Sequence, residues 1–154
     1  MKKGHIVLIV VAVLVAVFIF SPLPLITGGI ILDATMGTKA EIEIEGYRLC
    51  KDRYGDDVII VKYLLTNKGK EPTCLSLEGD FYVYQNGVSL TEYMDELPRE
   101  CNYDTEDMYK NVKGGVSYGA EVAYRLDSVS QDVEVEVTDY GLFEKDKQKT
   151  FKLK

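Results

Sequence analysis

Residues 116–139 read VSYGAEVAYRLDSVSQDVEVEVTD, two runs in which every second side chain is apolar, parted by the polar turn DSVSQD. Successive side chains of an extended strand point to opposite faces. Val116, Tyr118, Ala120, Val122, Tyr124 and Leu126 therefore share an inward face, and Glu121 and Arg125 take the outward one. Val133, Val135 and Val137 repeat the pattern against Glu134 and Glu136. A helix would scatter these residues around its circumference, so the stretch predicts two strands of a sheet with one buried face.

The same period governs the residues upstream. In EIEIE (41–45) Ile42 and Ile44 face one way, and after Gly46 the apolar phase moves to Tyr47 and Leu49, as a bulge at that point would produce. DVIIVKYLLTN (57–67) carries Ile59, Val61, Tyr63 and Leu65 inward. Its other positions are also largely apolar, which predicts a central strand covered on both faces. Asn67 to Glu71 reads as a turn, and TCLSLEGDFYVYQ as two short strands broken at Gly79. Asn86-Gly87 is a two-residue hairpin signal with VSL as the return strand. The end, GLFEKDKQKTFKLK, predicts a hairpin about Asp146 to Lys149, with Phe151 and Leu153 closing an edge and lysines blunting it. Six to eight strands between residues 41 and 154 imply an all-β, two-sheet antiparallel β-sandwich. Trp is absent, so the 11 tyrosines carry much of the aromatic packing.

Residues 91–115, TEYMDELPRECNYDTEDMYKNVKGG, break the alternation and read as a long loop with one helical turn before Pro98. Between Glu92 and Asp107 it carries seven acidic residues, Glu92, Asp95, Glu96, Glu100, Asp104, Glu106 and Asp107, against Arg99 alone. Carboxylates are hard ligands, and Asp104, Glu106 and Asp107 lie close enough in sequence to share a calcium ion, although no EF-hand spacing is present. Tyr93, Met94, Tyr103 and Tyr109 are the candidate interaction residues, since aromatic side chains give large contact area at small entropic cost. Their alternative role is to cap the open end of the sandwich.

Ahead of the domain, Ile6 to Phe20 contains no polar side chain, Lys2 and Lys3 precede it, and no further charge comes before Asp33. The segment is expected to enter a membrane as an N-terminal hydrophobic helix over residues 6–26, with the chain after Asp33 outside. Pro22 and Pro24 would bend or end that helix. Two fates are open: a retained transmembrane anchor, or a signal segment cut near Gly28-Gly29. Residues 1–32 are thus anchor or signal, 33–40 a linker and 41–154 one sandwich domain.

The totals of 18 basic and 25 acidic residues, a net charge of -7, exclude a phosphate-backbone partner. The only histidine, His5, lies before the apolar run, so no Ser-His-Asp or Cys-His arrangement can form in the domain, and no nucleotide motif such as GxGxxG occurs. The expectation is a non-enzyme without a resident cofactor. Cys50, Cys74 and Cys101 are an odd set without CxxC spacing; Cys50 and Cys74 fall at strand ends and form one candidate pair, and three reduced thiols are the other.

VIIVKYLLTNKGKEPT, FYVYQNGVSL and VSYGAEVAYRLDSVSQDVEVEVTD in this order resemble a family of uncharacterised immunoglobulin-like domains in secreted or lipid-anchored surface proteins of Gram-positive bacteria. The resemblance covers roughly residues 41–140. It implies an immunoglobulin-like sandwich outside the cell and carries no catalytic residues. This chain departs from the pattern in having no lipobox cysteine between Phe20 and Asp33. The function expected is a membrane-tethered module contacting a protein or cell-wall ligand. A structural accessory to a membrane complex and a secreted calcium-binding domain are the alternatives.

Overall fold

β2 (Asp57–Asn67) is flanked on one side by β1 (Ala40–Lys51) and on the other by β5 (Ser117–Arg125), antiparallel throughout, in a three-stranded sheet β1-β2-β5. β3 (Gly79–Gln85), β4 (Val88–Ser89), β6 (Val133–Asp139) and β7 (Asp146–Phe151) form a second antiparallel sheet in the order β4-β3-β6-β7. The computed structural model describes residues 40–140 and 146–153. The apolar segment with its helix over 6–26, and the linker as far as residue 39, lie outside the described residues. Among the described residues no helix is long and apolar enough to cross a membrane.

The inner faces of the two sheets make one core. Ile42, Ile59, Val61, Tyr63, Leu65, Ala120 and Val122 come from the first sheet, and Val83, Val133, Val135, Val137 and Phe151 from the second. Tyr63 meets Phe81 edge-on at 4.9 Å and Tyr47 meets Phe151 at 4.7 Å between ring centroids, geometries that add to the burial itself.

β1 slips register where the phase change predicts it, between Ile44, which faces Tyr63, and Gly46, which faces Lys62. The extra residue moves Tyr47 to the core side and turns Arg48 and Cys50 outward. The edges are closed by side chains. Lys147 and Lys149 of β7 donate to the unpaired carbonyls of Ile42, Ile44 and Glu45 on β1, so the C-terminal lysines blunt the edge of the facing sheet. The hairpin residues Asn86 and Gly87 both have positive φ (49° and 74°), the primed turn their identities predict.

Three local expectations are corrected. Leu75–Leu77 is a turn of 3-10 helix and not a strand, with Leu77 N–H bonded to Cys74 O and Glu78 N–H to Leu75 O, each at 3.1 Å. Asp146 to Lys149 is strand, paired with Val135 to Thr138, and not a hairpin turn. Val116 lies ahead of β5 and is 46% exposed, where the alternation had it inward.

Candidate functional site

The outer face of the three-stranded sheet is apolar at its centre. Val58 and Ile60 of β2 and Ala123 of β5 are fully buried on the side away from the main core. Such residues need a cover, and residues 91–113 supply it, packing Tyr93, Leu97, Cys101 and Tyr103 into a second small cluster. Tyr93 and Tyr103 therefore pack against a sheet face and do not cap the open end of the sandwich.

The chain reaches this face by changing sheets. Leu90 N–H still bonds Val83 O (2.7 Å) in the second sheet. Next, Tyr93 N–H bonds Ala123 O (2.8 Å), and Arg125 N–H bonds Thr91 O (3.0 Å), along the edge of β5 in the first. In place of a helical turn before Pro98, 3-10 turns form at Arg99–Cys101 and Asp107–Tyr109.

A disulfide joins Cys50 of β1 to Cys101, with Cα atoms 5.8 Å apart, and Cys74 is a buried free thiol. The sequence's candidate pair, Cys50 with Cys74, is thereby corrected. The bulge turns Cys50 to the outer face, whereas Cys74 sits at the turn leading to β3.

Beside the disulfide, the Arg48 guanidinium holds both carboxylate oxygens of Glu121 (2.6 and 3.3 Å) and donates to the carbonyls of Cys101 and Asn102. A planar fork meets this mixed set of acceptors as an ammonium could not. Asp107 accepts from Glu121 N–H (2.9 Å) and from the Tyr118 hydroxyl, so its carboxylate stands in for a missing strand on β5. Tyr93 OH reaches Asp52 (3.3 Å), whose other oxygen accepts from the N–H groups of Tyr54 and Asp56. Burial pushes the Asp52 carboxyl up, but these donors outweigh it and hold it below the usual carboxylate range.

Between the loop and the sheet runs a groove of about 770 Å³, lined by Leu97, Pro98 and Tyr103 on one wall and by Lys62, Asp107 and Glu121 on the other. Its charges are largely committed. Lys62 pairs with Glu45 at 2.8 Å, a contact that raises the lysine pKa, and Glu121 pairs with Arg48.

The candidate calcium ligands Asp104 and Asp107 converge on Lys110 at 2.7 and 2.9 Å. Hydrogen bonds from Lys110 and the Glu106 N–H lower the Asp104 pKa. Hydrogen bonds to Asp104 and Asp107 raise that of Lys110. Among the described residues no group of three His, Cys, Asp or Glu side chains is placed to hold a metal ion. Of the interaction candidates, Tyr93 is buried and Tyr103 half-buried, while Met94 (70% exposed) and Tyr109 (48%) stand in solvent. Arg48, Lys62 and Glu121 were not foreseen as site residues. Their spacing shows nothing until β1, β2 and β5 are laid side by side.

Glu92 carries a testable consequence. It forms a bridge to Tyr124, and burial alone raises its pKa from 4.5. A carboxyl with a raised folded pKa disfavours folding progressively as pH rises through the unfolded and then the folded value. Glu92→Gln should therefore stabilise the protein at pH 7 and make no difference at pH 3. Melting curves at the two pH values check this, and equal gains at both would show that charge is not the cause.

A family model described as a domain of unknown function (DUF5067) matches residues 33–139. A structure of a Staphylococcus aureus protein described as a lipoprotein is similar in fold, with a TM-score of 0.56 at 18% identity over 75% of this chain and 85% of that one. A Bacillus subtilis protein, also described as a lipoprotein, gives a TM-score of 0.50 at 16% identity over 76% of this chain. There the match spans 37% of the Bacillus chain, well under half its length. At such identities the likeness is one of fold. Comparison with curated proteins gives no match.

Proposed function

The chain belongs to the DUF5067 family, and from that premise we propose that it is a membrane-tethered, extracytoplasmic, immunoglobulin-like module without catalytic activity. It makes protein or cell-wall contacts through residues 91–113. The strand order supports the immunoglobulin-like reading: β1-β2-β5 and β4-β3-β6-β7 follow the A-B-E and C′-C-F-G arrangement of such sandwiches. The Cys50–Cys101 disulfide supports an oxidising compartment, since cytosolic thiols are kept reduced. Two relatives in fold described as lipoproteins favour the same surface location. Tethering here falls to residues 6–26, because no lipobox cysteine is present. In this reading residues 1–32 are the anchor or cleaved signal, 33–40 the linker and 41–154 the sandwich.

The observation that carries the contact role is the fixing of a long irregular segment by a disulfide, a guanidinium and a carboxylate. Rigid presentation lowers the ordering cost of binding. Exposed Met94 and Tyr109 are the residues offered outward. A photo-crosslinking side chain at Met94 or Tyr109 of the full chain in a Gram-positive host is expected to give discrete adducts that the same probe at exposed Leu77 does not. Adducts from residues 6–26 alone would replace this reading with the accessory one. Calcium at millimolar concentration is expected to leave the melting temperature unchanged, because Lys110 already supplies the cation between Asp104 and Asp107; a rise would favour the calcium-binding reading.

A further inference from the structure

The outward face of the second sheet is built differently from the rest of the molecule. Tyr82 and Tyr84 stand side by side on β3, stacked with ring centroids 6.2 Å apart. Across the ladder Tyr82 faces Glu136 and Tyr84 faces Glu134. Asp80 and Asp146 extend the carboxylates along the same face, where Tyr140 OH bonds Asp80 (2.6 Å) and Thr138 bonds Asp146 (3.0 Å). Tyr82 and Tyr140 are 43% and 45% exposed. The cations of β7 are turned away, since Lys147 and Lys149 reach over to the carbonyls of β1, leaving Gln148 and Thr150 to face Glu136 and Glu134. Among the described residues no lysine or arginine pairs with Asp80, Glu134, Glu136 or Asp146. Burial and then the neighbouring Glu136 raise the Tyr84 pKa, as a negative field does.

A hollow of about 470 Å³ continues this face past Tyr84, lined by Asn86, Gln131, Asp132 and Glu134. Its wall is fixed by buried Gln85, whose amide nitrogen donates to Ser128 O (2.7 Å) and Gln131 O (3.2 Å) while its oxygen accepts from Asp127 and Ser128 N–H.

We propose that the Tyr82–Tyr84 face of the second sheet, with Glu134 and Glu136, binds an extended basic segment of a partner protein. Exposed tyrosine rings attract ammonium and guanidinium groups, and carboxylates with no ion-pair partner among the described residues, Glu136 with a 3.3 Å hydrogen bond from Gln148 Nε2, complement their charge. Glu134 and Glu136 are two residues apart on one strand, about 6.6 Å, which is the repeat at which an extended peptide presents alternate side chains. A segment with lysine or arginine at every second position therefore sets successive cations on successive carboxylates, each beside a ring. This surface is on the opposite sheet from residues 91–113, so its success or failure leaves the reading of that loop untouched.

The test is titration of the full chain with the peptide (Lys-Thr)4, using (Glu-Thr)4 and an uncharged chitin oligosaccharide as comparison ligands. Binding should be seen for the lysine peptide alone and weaken with salt. It should fall at least about tenfold in Tyr82→Ala and in the charge-neutral Glu136→Gln, which keeps the shape of the sheet. Glu96→Gln and Glu100→Gln in the loop should leave it unchanged. The proposal is overturned if the lysine peptide fails to bind. It is equally overturned if the loop variants and not the sheet variants abolish binding, or if the oligosaccharide binds as tightly through the same tyrosines.

Discussion

Replacing Cys50 and Cys101 together by serine should lower the unfolding free energy by roughly 4 kcal/mol and the melting temperature by about 15 °C. The disulfide closes a span of 51 residues, so the unfolded chain without it recovers the entropy of a long loop. The folded state loses little directly, because Arg48 and Asp107 still grip the neighbouring residues. The loss therefore has a second signature. Residues 94–106 should become the first site of proteolysis while the two sheets stay intact, because without the covalent tie only the Arg48 and Asp107 bonds and a small apolar cluster hold this segment on Val58 and Ile60. The control is Cys74→Ser, which alters a buried thiol outside the disulfide and leaves the span closed. If the double variant melts with the control, the bridge does not contribute as argued.

Asn67→Ala should cost roughly 3 kcal/mol, measured by urea unfolding with an unchanged m-value. Asn67 is 2% exposed, and its amide ties the 67–71 turn to the loop at Val112. Nδ2 donates to Glu71 O and Val112 O at 2.8 Å each, and Oδ1 accepts from Gly69 N–H at 2.9 Å. Alanine removes all three bonds, of which the one to Val112 O is buried and the two to the 67–71 turn are part-buried. The backbone beside it is tight for the same reason. A Cβ on Gly114 would meet Gly69 O and lie 2.9 Å from Lys70 O, so Gly114→Ala should destabilise through backbone displacement. Asn67 and the disulfide hold the end and the middle of residues 91–113. Cost from the first without change in proteolysis at 94–106 would show that the two anchors act independently.

These two anchors differ in how they could be read. The glycine pair 114–115 marked the end of the loop, and Gly115, with φ of 79°, takes the conformation its identity allows. That Asn67 should receive the loop at Val112, 45 residues on, has no local signature. The same holds for the outer face of β2. Its apolar character at Val58 and Ile60 announced that something must cover it, and the loop's lack of alternation announced that it was not a strand. Nothing in either stretch said that one covers the other.

Most of the strands, the bulge at Gly46, the Asn86-Gly87 hairpin and the inward placement of Val122, Val133, Val135 and Val137 were legible in the sequence, because period-2 burial and turn chemistry act between near neighbours. Tertiary structure decided which cysteines pair, which cation answers which carboxylate, and which face the loop tyrosines Tyr93 and Tyr103 lie on. A one-residue phase shift in β1 carries Arg48 and Cys50 to the outer face, but their partners there depend on the side-by-side order of β1, β2 and β5 and on the sheet change after Leu90. Such partners lie 50 or more residues away, beyond the reach of any local pattern.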